Sequence, residues 1–108
     1  MCGIVAYYGN RKVPEVLLEC LQRLEYRGYD SAGIAICEEG NIDIIKTVGK
    51  IKQLRDKVDA NKYIHAKIGI GHTRWATHGI VSDNNAHPHK VNNITLVHNG
   101  IVENYLYL

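Results

Sequence analysis

Met1-Cys2-Gly3-Ile4-Val5-Ala6-Tyr7-Tyr8 opens the chain, and Gly9-Asn10 follows as a turn. Gly3–Tyr8 is short, apolar and partly β-branched, which predicts a buried strand with Cys2 at its mouth. Removal of Met1 leaves Cys2 first, with a thiol and a free α-amine on one carbon. An unperturbed cysteine ionises near pH 8.5, and the thiolate is the nucleophile. The α-amine titrates at about 7.7–8.0, so part of it accepts a proton near neutral pH. One residue then supplies both nucleophile and base. With Met1 retained, that nitrogen is an amide and has no useful basicity. A cysteine in second place is uninformative on its own, so the rest of the chain decides its meaning.

Moving outward, Val13, Val16, Leu17, Cys20, Leu21 and Leu24 recur as one stripe of a helix, with Pro14 in its first turn. Cys20 is expected to face the core as a small hydrophobe. Arg27-Gly28-Tyr29-Asp30-Ser31 has the composition of a loop. Ala32–Cys37 returns to strand character, Glu38–Asn41 is a turn, and Ile42–Val48 is the hairpin partner. Arg27 and Asp30 read either as an ion pair shaping the loop, or with Arg27 lending positive charge near the thiol. Gly49 opens a lysine-rich helix with Ile51, Leu54 and Val58 on one side. The linker at 59–67 offers Tyr63 and Ile64 as anchors.

Ile68-Gly69-Ile70-Gly71-His72 reads as a strand whose glycines imply close approach by a neighbour or a ligand. It empties into Thr73-Arg74-Trp75-Ala76-Thr77-His78-Gly79, and loops on a rigid scaffold often carry binding groups. Arg74 offers a planar fork matched to a carboxylate, with Thr77 and His78 beside it; a structural ion pair is an equal alternative. The stretch at 82–89 is polar loop. Ile94–Val97 is expected to be a second buried strand, ending in His98-Asn99-Gly100. Asn-Gly is ordinarily a turn. It also places a side-chain amide and a backbone N–H where both can point at a developing oxyanion, as acyl transfer requires.

The chain has 108 residues, 45% of them hydrophobic and 22% charged, which bounds it to one small domain with one modest core. A net charge of +2, with its Lys and Arg dispersed, gives no case for nucleic acid. No apolar run is long enough for a membrane span, and the start lacks a secretory signal. The three cysteines form no metal-type spacing, and a reducing, cytoplasmic setting fits them. A metal site from His72, His78, His87 and His89 is conceivable from the six histidines, but their spacing matches no usual ligand pattern.

Four segments, MCGIV, LEYRGYDSAGIA, GHTRWATHG with NAHPH, and VHNGIVEN, together resemble the class II glutamine amidotransferases, the N-terminal-nucleophile glutaminases. LEYRGYDSAG and HTRWATHG single out the branch that makes glucosamine 6-phosphate. The resemblance covers essentially the whole chain. It implies an α+β fold, the front part of a four-layer αββα sandwich with mainly antiparallel sheets. Residues 1–108 would be a partial glutamine amidotransferase domain, with Cys2 as its mature N-terminus and the sugar-isomerase domains absent.

The resemblance further implies that Cys2 attacks the side-chain amide of L-glutamine, and that Asn99 and Gly100 form the oxyanion hole. Arg74 would hold the α-carboxylate, with Trp75, Thr77 and His78 completing that pocket. Arg27 would lie near the catalytic end, and His87 matches a position near the site. No cofactor and no metal are implied. Fructose 6-phosphate would be met only through the missing C-terminal domains, and the full-length enzyme would be a possible homodimer. The chain is expected to be truncated and weak or inactive alone. The alternative is a non-catalytic remnant acting as a binding or assembly module.

Overall fold

The computed structural model describes residues 2–75 and 80–99. Its elements, in chain order, are β1 (Gly3–Tyr8), α1 (Val13–Arg23), β2 (Ser31–Glu38), β3 (Asn41–Val48), α2 (Ile51–Lys57), β4 (Ile68–Arg74), β5 (His89–Val91) and β6 (Ile94–Leu96). Short 3-10 turns at Glu25–Arg27 and Ala60–Tyr63 follow the two helices. Four strands form one sheet in the order β1-β4-β2-β3, and every neighbouring pair is antiparallel. β5 and β6 pair as a separate antiparallel ribbon. The fold is therefore α+β with antiparallel sheets.

Strand alternation assigns the two faces of the sheet. Cβ atoms built on Gly69 and Gly71 would meet Leu17, Val13 and Leu21, so these glycines lie under α1. The register puts Val5, Ile34 and Ile36 on that same face. There Val13, Leu17 and Leu21 close a core with Ile34, Ile36, Ile51 and Leu54, all inaccessible or nearly so. Burying each such side chain contributes about 1.5–3 kcal/mol. The glycines of β4 thus serve close helix packing, because a side chain at Gly69 would stand 2.7 Å from Leu17.

The β2–β3 hairpin turns through Glu39 and Gly40, at φ 52° and 82°. Two consecutive residues in the left-handed region match the twist of the flanking strands. α2 and the loop before β5 cover the outer edge of β3: the Lys57 ammonium donates to the carbonyl of Lys46, and the Val48 N–H donates to Asp83.

Three expectations change. Cys20 is only half-buried, and Leu18 takes the buried place beside Leu17 and Leu21. Tyr63 anchors the segment after α2, donating to Asp43 at 3.0 Å, whereas Ile64 is 68% exposed. β6 is not a buried strand: Asn93 and Thr95 face the sheet near Ala35 and Ile70, and alternation turns Ile94 and Leu96 outward. Ile101-Val102-Glu103-Asn104, which reads as the start of a helix, lies outside the described residues.

Candidate active site

The end of β4 carries Arg74, leads into Trp75 and meets Cys2. Gly3 pairs with Thr73, which brings Cys2 beside the end of that strand. The Cys2 sulfur accepts the Trp75 N–H at 3.4 Å and lies 3.9 Å from the Trp75 carbonyl, half-buried. Gly3 permits this approach: a Cβ there would stand 2.7 Å from Leu24 and 2.9 Å from the Thr73 hydroxyl. The Cys-Gly pair is thus explained sterically, with the thiol reachable and the next residue wedged beneath α1's last turn.

The loop containing Arg27 meets the same place. Gly28, at φ 80°, lies against the Trp75 ring. The Asp30 N–H donates to the Arg74 carbonyl at 2.7 Å, and the Gly49 N–H donates to the Asp30 carbonyl at 2.9 Å. Gly28, Tyr29, Asp30, Gly49 and Trp75 line a cleft of about 210 Å³. A larger cleft of about 770 Å³ lies at the tips of the two hairpins and touches none of the predicted site residues.

Arg74 pairs with Ser31 in the sheet and is buried, with Nη1 donating to the Ile80 carbonyl at 3.1 Å. The Asn85 side-chain amide donates to the same carbonyl at 2.9 Å. Arg74 therefore ties Ile80 to the end of the sheet. Thr77, His78 and Gly100 lie outside the described residues.

His87 comes to the face of the sheet opposite α1, and the main chain of His98 meets His72 there. The carbonyl of His87 rests on Gly33, where a Cβ would stand 2.1 Å away, so only glycine admits the loop. The His87 ring stacks on His72 with centroids 4.2 Å apart, and His89 tilts against His87 at 4.5 Å. Nε2 of His72 lies 2.9 Å from the His98 carbonyl. Nδ1 of His87 accepts the His98 N–H at 3.4 Å. A carbonyl only accepts, so His72 carries its proton on Nε2, and its buried Nδ1 has no partner among the described residues. Burial pushes His72 down to about 4, only partly opposed by its bond to His98. Burial and then the neighbouring His72 push His87 down to about 3. Both rings are neutral at physiological pH. His72 and His87 stack and His89 is tilted against them, and no three His, Cys, Asp or Glu side chains among the described residues converge on a point that would hold a metal ion.

Cys2 and the main chain of His98 make their contacts near the same end of β4. The thiol meets Trp75 and the His98 main chain meets His72, three residues earlier, a span of roughly 10 Å along a strand. Sequence reasoning missed the structural part of His72, reading it only as a conceivable ligand. Its signal was parity, since it alternates with Gly69 and Gly71 and so faces away from α1.

No family model matches the chain. It is similar over nearly all its length to curated glutamine–fructose-6-phosphate aminotransferases (isomerizing). It is 56% identical to that of Shouchella clausii over 107 residues, 97% of this chain. It is 57% identical to that of Bacillus subtilis over 110 residues and 58% identical to that of Pyrococcus horikoshii over 107. These identities put the chain among the amidotransferases, a class of enzymes. It belongs to the glutamine–fructose-6-phosphate aminotransferase family and corresponds to the N-terminal part of those proteins. The chain spans 18% of the length of these relatives. Among the described residues no helix is long and apolar enough to cross a membrane.

Proposed function

We propose that the chain performs the glutaminase half-reaction, with Cys2 as nucleophile once Met1 is removed. The α-amine of Cys2, through a water, takes the thiol proton, and sulfur bonds to the side-chain amide carbon of glutamine. The carbonyl oxygen becomes an oxyanion held by the Asn99 amide and the Gly100 N–H. One such donor is typically worth a factor of about 100–1000 in rate. The tetrahedral intermediate collapses, the proton returns to the leaving nitrogen, ammonia departs and a γ-glutamyl thioester remains. Water then hydrolyses the thioester to glutamate and restores the thiol.

Arg74 is assigned to the glutamine α-carboxylate, with Trp75, Thr77 and His78 completing the pocket and Arg27 close to the catalytic end. In the complete protein the ammonia would pass to fructose 6-phosphate on further domains, in a cytoplasmic enzyme working as a homodimer. The chain would form the front of a four-layer αββα sandwich, and its activity alone would be weak.

The observation that carries this reading is the half-buried Cys2 sulfur held at Trp75, in a chain 56–58% identical to enzymes named for their use of glutamine. The experiment is titration with an electrophilic glutamine analogue followed by mass spectrometry. Stoichiometric labelling of Cys2, lost in Cys2→Ala, supports it. A folded chain that never labels replaces it with the alternative, a non-catalytic binding or assembly module.

A further inference from the structure

We propose that His72 and His87 are positioning residues that grip the main chain of His98 from both sides and so set the place of Asn99. The proposal rests on the glutaminase reading for its functional consequence, but its geometry stands independently. Nε2 of His72 donates to the His98 carbonyl at 2.9 Å, and Nδ1 of His87 accepts the His98 N–H at 3.4 Å. The two rings are themselves stacked at 4.2 Å, so the grip is a single unit. Each of its parts is fixed from below. His72 is a fully buried residue of β4, and the loop carrying His87 is seated on Gly33 of β2. Ala86 and Pro88, on either side of His87, are buried as well.

This arrangement anchors the chain just after β6. β6 is three residues long and pairs only with the three-residue β5 among the described residues, so its ladder ends at Leu96. Two residues later the backbone is caught at both its polar groups. Asn99 is the next residue, so its side chain inherits its origin and direction from the two imidazoles. Displacing a reacting group by about 1 Å costs on the order of 100-fold in rate, which is the scale on which this grip would act.

The bonds define the tautomers. His72 must carry its proton on Nε2, and His87 must leave Nδ1 bare to accept an N–H, so its own proton is on Nε2 as well. Protonating His87 would set an N–H against the His98 N–H and open that side of the grip. Neither ring has to touch substrate.

The test uses the 108-residue chain and four variants, His72→Leu, His72→Gln, His87→Leu and His87→Asn. Gln replaces the Nε2 donor of His72, and Asn replaces the Nδ1 acceptor of His87. Imidazole and amide NMR of the wild type at neutral pH should show both rings as Nε2–H tautomers. The same spectra should show the His98 amide exchanging at least about tenfold more slowly than that of Asn92, at the exposed ribbon tip. The Leu variants should lose that protection and lower kcat for glutamine hydrolysis about 10–100-fold with KM nearly constant. The Asn and Gln variants should recover most of both. A proton on Nδ1 of His87 in the wild type, or an unprotected His98 amide, overturns the grip without need of any variant. Leu variants that hydrolyse glutamine normally, or Asn and Gln variants as impaired as Leu, overturn its positioning role. Failure of Cys2 to react at all, with the His98 amide protected, sinks the glutaminase reading and leaves the grip standing.

Discussion

A methyl group on Gly33 would lie 2.1 Å from the carbonyl oxygen of His87. No rotation relieves that contact, because it joins the backbone of β2 to the backbone of the loop before β5. Gly33→Ala should therefore displace the loop, costing about 1–3 kcal/mol as overpacking and loosening the stack of His87 on His72. Gly71→Ala is the control: its Cβ would meet the flexible end of Leu21 at 3.3 Å and should cost less. Urea denaturation of both variants, with a His87 ring signal followed by NMR, checks the difference. Equal stability would mean the loop does not rest on the sheet.

The core beneath α1 is small, so single truncations should weigh heavily. Leu17 is inaccessible and packs against the glycine-lined floor of β4. Leu17→Ala should cost about 2–5 kcal/mol, much of the 5–15 kcal/mol expected of a whole domain. Ile64→Ala, at a residue 68% exposed, should stay within about 0.5 kcal/mol. Thermal unfolding of the pair distinguishes a true anchor from an apolar residue that merely follows one.

These contrasts mark what sequence could and could not convey. β1, α1 and the β2–β3 hairpin were readable because their periodicities are local, and the left-handed pair Glu39-Gly40 closes the hairpin where a turn was expected. β4 runs to Arg74 rather than ending at His72 because Ser31 and Ala32 pair with its last residues, a partnership no local pattern reports. β6 was misread for the same kind of reason. A short run such as Ile94-Thr95-Leu96 shows that one face is apolar but not which face meets the sheet, and here Thr95 does. At the site, the residue types of Cys2, Arg74 and Asn99 were legible. The contacts of His72 and His87 were not, since they depend on Gly33 two strands away in sequence.

Cys2 should be the reactive thiol only in its processed form. Cys20 and Cys37 are also half-buried free thiols, so selectivity tests the chemistry rather than exposure. Cys2→Ala should lower labelling by a glutamine-analogue electrophile about a thousandfold or more, while Cys20→Ala and Cys37→Ala leave it near wild type. Intact-mass measurement reports whether Met1 is present in each preparation. A variant that retains Met1, made by placing a bulky residue between Met1 and Cys2, should lose the reaction even though the thiol remains. Equal labelling of that variant would remove the α-amine from its role as base.

Acid should weaken the fold through the histidine stack. His72 and His87 titrate near 4 and near 3 in the folded chain, against about 6.5 when unfolded. Their folded values are depressed, so the unfolded state binds protons first as pH falls. Stability from the neutral rings is therefore complete above pH 6.5 and is lost progressively between 6.5 and about 4 to 3. For His72, which no solvent reaches, the loss should be on the order of 2 kcal/mol at the acid end of that window. Lys46, close to Nδ1 of His89, and Arg74 add positive charge to the same face and oppose protonation further. Melting temperature measured from pH 7.5 down to 4 should fall steeply in the wild type and less steeply in His87→Asn, which has no ring to protonate there. A wild-type curve flat down to pH 4 would mean that these rings are solvated in solution and that the stack over Gly33 does not persist.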